Sequence, residues 1–165
     1  VYRQSADGQY EPTPVQTGVQ GELYTQVTGG LKDGDQVVTF DCPLGRVGVA
    51  ICYDLRFPEL FRSLGELDLL VLPAAFTETT GRAHWEILLR ARAIENQCYV
   101  LAPAQGGYHA LGRETHGDSM IVDPWGVVLD RLPRGSGVVI ASMNLDYQAS
   151  LRKSLPALTH RTVFK

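Results

Sequence analysis

Cys52 is followed at once by Tyr53, Asp54 and Arg56, which brings a thiol, a phenol, a carboxylate and a guanidinium into one short stretch. A thiol acts as a nucleophile when its surroundings favour the thiolate, and a helix N-terminus with its free N–H groups does so. The flanking sequence offers that geometry. Val47 to Ile51 is an apolar run that reads as a buried strand, and Pro58 suits the first position of a helix, where its missing N–H costs nothing. Cys52 is therefore expected where a strand ends opposite a helix N-terminus, the place at which open α/β sheets bind ligands. The competing reading is a packed core cysteine, because free cysteines are among the most buried residues.

Other chemistries find less support. The histidines, His84, His109, His116 and His160, form no His-x-x-x-His pair and have no carboxylate at ligand spacing, so no metal site is expected. Gly106-Gly107 is not a phosphate-binding fingerprint, and Gly117-Asp118-Ser119 lacks the frame of a nucleophile elbow. A dyad of Cys52 with His84 or His116 stays open, without local support. Cys42, Cys52 and Cys98 show no Cys-x-x-Cys spacing, which argues for reduced thiols in a cytoplasmic setting. A formal charge of -3 with acids and bases interspersed gives no reason to expect nucleic acid or an anionic membrane as partner. No apolar run approaches the roughly 20 residues of a membrane span, and the opening residues do not read as a signal peptide.

The elements that must position Cys52 follow from pattern. The 165 residues, 44% hydrophobic and 20% charged, fit one domain over residues 1–165. Residues 1–30 are crowded with turn formers such as Asp7-Gly8, Pro12, Pro14 and Gly29-Gly30 and are expected to be loop, apart from a short strand near Val1 to Arg3. The start at Val1 reads as the remainder of a longer protein. Residues 36–165 are expected to hold the core. Gln36 to Asp41 should pair antiparallel with the strand leading to Cys52, and Leu67 to Leu72, after a short helix ended by Gly65, is a second wholly apolar strand. Such strands mark an α/β sheet covered on both faces. Thr77 to Arg82 reads as a loop at the same sheet edge as Cys52. Residues 84–97 form the clearest helix, apolar on much of its circumference, with one side for the sheet and another for a second subunit. Within it, Arg92 and Glu95 are assigned to a structural ion pair. Cys98 to Ala104 is a strand and Tyr108 to Gly117 a polar loop. Met120 to Val122 and Val127 to Leu132 make a hairpin, Gly137 to Met143 a last strand, and Asn144 or Asp146 caps a helix running to about Ser154.

In order along the chain stand Gly48-Val-Ala-Ile-Cys52-Tyr-Asp-Leu-Arg56-Phe-Pro-Glu, Leu72-Pro-Ala-Ala-Phe76, His84-Trp85-Glu86, Arg90-Ala-Arg92-Ala-Ile-Glu95-Asn-Gln and Asp123-Pro-Trp-Gly126. From about Glu22 to the C-terminus this set resembles the carbon–nitrogen hydrolase (nitrilase) superfamily, and it is most similar to the Nit branch of omega-amidases and deaminated-glutathione amidases. The resemblance implies an α-β-β-α four-layer sandwich, here without its N-terminal part, and a homodimer in which sheets and helices of two subunits stack. It also implies a Glu-Lys-Cys catalytic set that needs no metal or organic cofactor. Cys52 would attack the carbonyl of a small amide and form a thioester, with the Tyr53 backbone N–H placed to bind the oxyanion. Tyr53, Arg56 and Phe76 are the substrate-binding candidates.

The family's base glutamate and its lysine belong upstream of the cysteine, and this chain does not display them. Lys32 lies in a Leu-Lys-Asp-Gly turn without the expected surroundings, and Gln4 aligns with the lysine only superficially. Glu22 is the candidate for the additional, auxiliary glutamate, with an exposed loop carboxylate as the equal alternative. Asp118 stands where the Nit branch commonly has histidine. The leading expectation is a cysteine-dependent amidase acting on a carboxylate-bearing carboxamide. Its rivals are a catalytically incomplete structural or binding paralogue, and a carbamoylase or nitrilase branch.

Overall fold

The computed structural model describes residues 2–4, 10–12, 16–20, 25–29 and 39–160. Two short antiparallel hairpins come first: β1 (Tyr2–Gln4) with β2 (Tyr10–Pro12), and β3 (Gln16–Gln20) with β4 (Thr25–Gly29). The expectation of loop across residues 1–30 is thereby corrected. Of the turn formers that are described, Pro12 and Gly29 fall at the ends of paired strands. Glu22 and Lys32 lie outside the described residues.

Chain order then runs β5 (Thr39–Cys42), β6 (Gly45–Val49), α1 (Pro58–Ser63), β7 (Leu69–Val71), α2 (Glu78–Asn96), β8 (Tyr99–Ala102), β9 (Gly106–Tyr108), β10 (Glu114–His116), β11 (Ser119–Val122), β12 (Val128–Leu132) and α3 (Leu145–Ser154). A 6-stranded sheet has the order β12-β11-β8-β7-β6-β5. Its centre, β6, β7 and β8, is parallel because α1 and α2 carry the crossovers; β5–β6 and β11–β12 join through short connections and are antiparallel, as is β8–β11, whose connection holds the β9–β10 hairpin.

Alternation along the strands splits the apolar residues between two faces. Leu70, Leu72, Val100, Ala102, Met120 and Val122 pack with Phe61 of α1 and with Trp85, Leu89 and Ala93 of α2. Leu69, Val71, Tyr99 and Leu101 turn the other way and form a smaller cluster with Val47, Cys42 and Met143. The described residues thus hold one helix layer and one sheet layer of the expected α/β sandwich. At the opposite end of the strands from Cys52, α3 is tied down through Gln148 Nε2, which donates to the carbonyls of Asp68 and Gln97 at 3.2 and 2.9 Å, and through Arg152, which pairs with Asp68 and Glu66 and donates to the Leu67 carbonyl. Among the described residues no helix is long and apolar enough to cross a membrane.

Three elements differ from expectation. The helix expected at 84–97 begins at Glu78, because Thr77 takes the extended conformation of a cap and Gly81, which suggested loop, sits where α2 passes so close to His116 that a Cβ would collide. The polar loop from Tyr108 to Gly117 contains a ladder, β9 against β10. Gly137 to Met143 forms no strand: its side chains alternate suitably, but no neighbouring strand among the described residues completes a ladder, and Val138 and Ile140 are 79% and 77% exposed.

Candidate active site

The chain leaves β6 and keeps the parallel register a little further, with Ala50 N–H donating to the Val71 carbonyl and Cys52 N–H to the Pro73 carbonyl at 2.9 Å. At Cys52 the backbone then turns to φ 48°, the left-handed region that non-glycine residues seldom enter. This sharp change starts a 3₁₀ turn, Cys52–Arg56, which Phe57 links to Pro58 at the first position of α1. Two contacts hold the turn. Asp54 Oδ2 accepts the Ile51 N–H at 2.8 Å, so this carboxylate locks the loop instead of facing the thiol. From behind, Arg92 donates through Nε and Nη2 to the Leu55 carbonyl and through Nη1 to Glu95 at 2.8 Å. The structural role expected for Arg92 is thus observed, with a further job at the turn. The Tyr53 N–H, next after the thiol, has no acceptor among the described residues.

Cys52, Tyr53, Arg56, Phe76, Thr80 and Arg113 line a small cleft at this turn. Cys52 is partly exposed there. Phe76 is buried against Trp85, with ring centroids 4.9 Å apart. The Arg56 guanidinium lies 5.4 Å from the centre of the Tyr53 ring and 5.1 Å from that of Phe76, within cation–π range of both. Its Nη1 donates to His84 Nδ1 at 3.2 Å, which leaves the imidazole proton on Nε2.

A band of ion pairs braces the side of the cleft formed by α2. Glu78 accepts from Arg82 at 2.7 Å, from His116 Nδ1 at 3.0 Å and from Arg134 at 2.9 Å. The Arg82 hydrogen bond, followed by that from His116, holds its carboxyl at about 2, well below the ordinary 4.5, against the opposing effect of desolvation. Asp118, buried and at φ 68°, accepts both arms of Arg131 at 2.6 and 2.7 Å while its carbonyl accepts Trp85 Nε1–H at 2.7 Å. The Phe76 carbonyl accepts the His116 N–H at 2.9 Å, and Thr77 bridges to Thr115, so the hairpin β9–β10 is joined to the wall that carries Phe76.

The structure therefore brings Cys52, Tyr53, Arg56 and Phe76 to one cleft, while Glu22 lies outside the described residues. It does not bring a histidine to Cys52: His84 is engaged by Arg56 and His116 by Glu78. Among the described residues no group of three or more His, Cys, Asp or Glu is placed to hold a metal ion. Arg113 and Thr80 were not singled out from sequence. The only available signal was that each belongs to a polar stretch following an apolar strand at this sheet edge. Cys98, the other thiol close to α2, is fully buried, and burial pushes it up to about 12.

Comparison with known proteins agrees with this geometry. The chain is 48% identical over 134 residues to a deaminated glutathione amidase of Dictyostelium discoideum, covering 79% of this chain and 46% of that protein. The solved NitFhit protein of C. elegans superimposes with a TM-score of 0.74 at 41% identity, over 94% of this chain and 40% of that one. An amidase from Nesterenkonia sp. AN1, solved with acrylamide added at its active-site cysteine, superimposes with a TM-score of 0.59 at 27% identity, over 74% of this chain and 48% of that one. The chain thus spans less than half the length of these relatives. The family model for carbon-nitrogen hydrolases runs from residue 2 to residue 153, through the positive-φ cysteine and both walls of its cleft, and the chain belongs to the carbon-nitrogen hydrolase family.

Proposed function

We propose that the protein containing this chain hydrolyses the carboxamide of a small, carboxylate-bearing molecule with Cys52 as nucleophile. The observation that carries this reading is the Cys52 turn: a partly exposed thiol held at φ 48° at a strand exit, beside a backbone N–H without an acceptor among the described residues. The Cys52 sulfur forms a bond to the amide carbon, and the displaced electron pair goes to the oxygen, which the Tyr53 N–H stabilises. Collapse of this adduct breaks the C–N bond, ammonia leaves with the proton taken from the thiol, and water releases the acid from the thioester. A general-base glutamate and a lysine, which the family resemblance implies, act from outside the described residues, with Glu22 as the auxiliary carboxylate. The names of the relatives, deaminated glutathione amidase and amidase, support this reaction class. We also propose a homodimer, with Ile87 and Ile94 on the exposed side of α2, 69% and 50% exposed, at its interface.

The test is ammonia release from deaminated glutathione or a 2-oxo-acid omega-amide by protein made from the complete reading frame. Cys52→Ala should cost at least about a thousandfold in kcat. Turnover that survives this substitution would remove Cys52 from the mechanism. One observation favours a second reading, a catalytically incomplete paralogue: among the described residues neither lysine nor carboxylate lines the cleft. Absence of a Glu and a Lys upstream in the reading frame, together with no amide turnover, would establish it.

A further inference from the structure

Among the described residues, the cleft beside Cys52 carries two positive charges and no negative one. Arg56 reaches it from the turn after β6 and Arg113 from the loop before β10, and no described Asp or Glu lines it. The neighbouring acids are engaged elsewhere, Asp54 with the Ile51 N–H and Glu78 with Arg82, His116 and Arg134. Six of the described arginines, Arg82, Arg90, Arg92, Arg131, Arg134 and Arg152, are committed to carboxylates. Arg56 and Arg113 have no such partner among the described residues, as is also true of Arg46 and Arg62, but only Arg56 and Arg113 line this cleft. Arg56 is nonetheless fixed, by His84 and by two aromatic rings. The Arg113 side chain makes no hydrogen bond or ion pair among the described residues, so its N–H donors remain available to a ligand. One unpaired surface arginine is simply solvated. Two that line the same small cleft from different elements repel each other and raise its potential, and an anion relieves both effects.

We infer that Arg113, with Arg56 beside it, binds a carboxylate of the substrate while the amide faces Cys52, and that Arg113 thereby sets the preference for acidic over neutral amides. This rests on the reading of Cys52 as nucleophile. A planar guanidinium matches a carboxylate with two parallel N–H donors, which fixes orientation as well as charge. Arg56, already stacked and hydrogen-bonded, serves as a rigid wall, and Arg113 is the free arm.

The experiment compares wild type, Arg113→Ala and Arg113→Lys, each made from the complete reading frame, on two substrates: the monoamide of a five-carbon diacid and the uncharged five-carbon amide. Arg113→Ala should lower kcat/KM on the acidic amide about tenfold or more, mainly through KM, and by a clearly smaller factor on the neutral amide. Arg113→Lys should fall between. Equal losses on both substrates, or no loss on the acidic one, would overturn the inference. A second measurement needs no turnover. Iodoacetate and iodoacetamide both alkylate a thiolate with loss of iodide, and only the first carries a carboxylate. The ratio of their rates at Cys52, read by peptide mass, should fall about threefold or more in Arg113→Ala and shrink with added salt in wild type. An unchanged ratio in that variant refutes the role of Arg113. Failure of the amidase reading would instead show as turnover that survives Cys52→Ala.

Discussion

Arg92 grips the carbonyl of Leu55 with two guanidinium N–H groups, at 3.0 and 2.8 Å, and so ties the middle of α2 to the turn that presents Cys52. The arginine is 4% exposed, and its third contact is Glu95. Removing it strands a buried carbonyl and leaves Glu95 without its partner. Arg92→Ala should destabilise the protein by about 3 kcal/mol, and Arg92→Lys should recover less than half, since an ammonium cannot span both contacts. Denaturant unfolding of the three proteins checks this, and equal stabilities would contradict it.

Glu78 makes a prediction about pH. Its carboxyl is held at about 2 by Arg82, His116 and Arg134, against 4.5 ordinarily, so the folded state takes up its proton less readily than the unfolded chain does. The stability that Glu78 contributes is fully present above about 4.5 and is lost as pH falls towards 2. The Tm difference between wild type and Glu78→Gln should therefore be steady from about pH 5 to 7 and close below that. A gap that widens on acidification would show the opposite sign and sink this account.

At Gly81 two effects compete. Alanine in place of glycine within a helix ordinarily gains about 1 kcal/mol, whereas overpacking costs about 1–3 kcal/mol. A Cβ at this position would run into Cβ and the ring of His116. Gly81→Ala should be net destabilising, and the paired substitution with His116→Ala, which removes the ring but keeps the Cβ, should relieve only part of the loss. A stabilised single variant, measured by thermal unfolding, would show that α2 and β10 have room to separate.

The thiols should differ sharply in reactivity. Cys98 is buried and its thiol is pushed up to about 12, whereas Cys52 is partly exposed in its cleft. Iodoacetamide on native protein at neutral pH should label Cys52 and spare Cys98, while unfolded protein is labelled at both. Early labelling of Cys98 would mean that this part of the core opens readily.

Much of the frame was legible beforehand. Pro58 as a helix start, Gly65 as its end, the apolar strands on either side and the Asn144 cap are local signals, fixed by φ restriction, missing donors or side-chain period within a few residues. Where the reading failed, the deciding partner was distant. Glu78 to Arg82 looked like loop because Gly81 is a weak helix former, yet His116 requires a glycine there. Gly137 to Met143 looked like strand because alternation is local, yet a strand exists only beside another strand.

The candidate site divides in the same way. The sequence by itself determined that Cys52 would stand at a strand exit ahead of a proline-started helix, with Tyr53 and Arg56 beside it, because an apolar run and a proline act over short range; Phe76 was implied only by the family resemblance. Only the tertiary structure decided that Cys52 adopts φ 48°, that Asp54 and Arg92 are occupied in holding its turn, and that Arg113 shares its cleft. These depend on which distant carbonyls, rings and charges the sheet and α2 bring within a few ångströms of one another, and no local pattern encodes that.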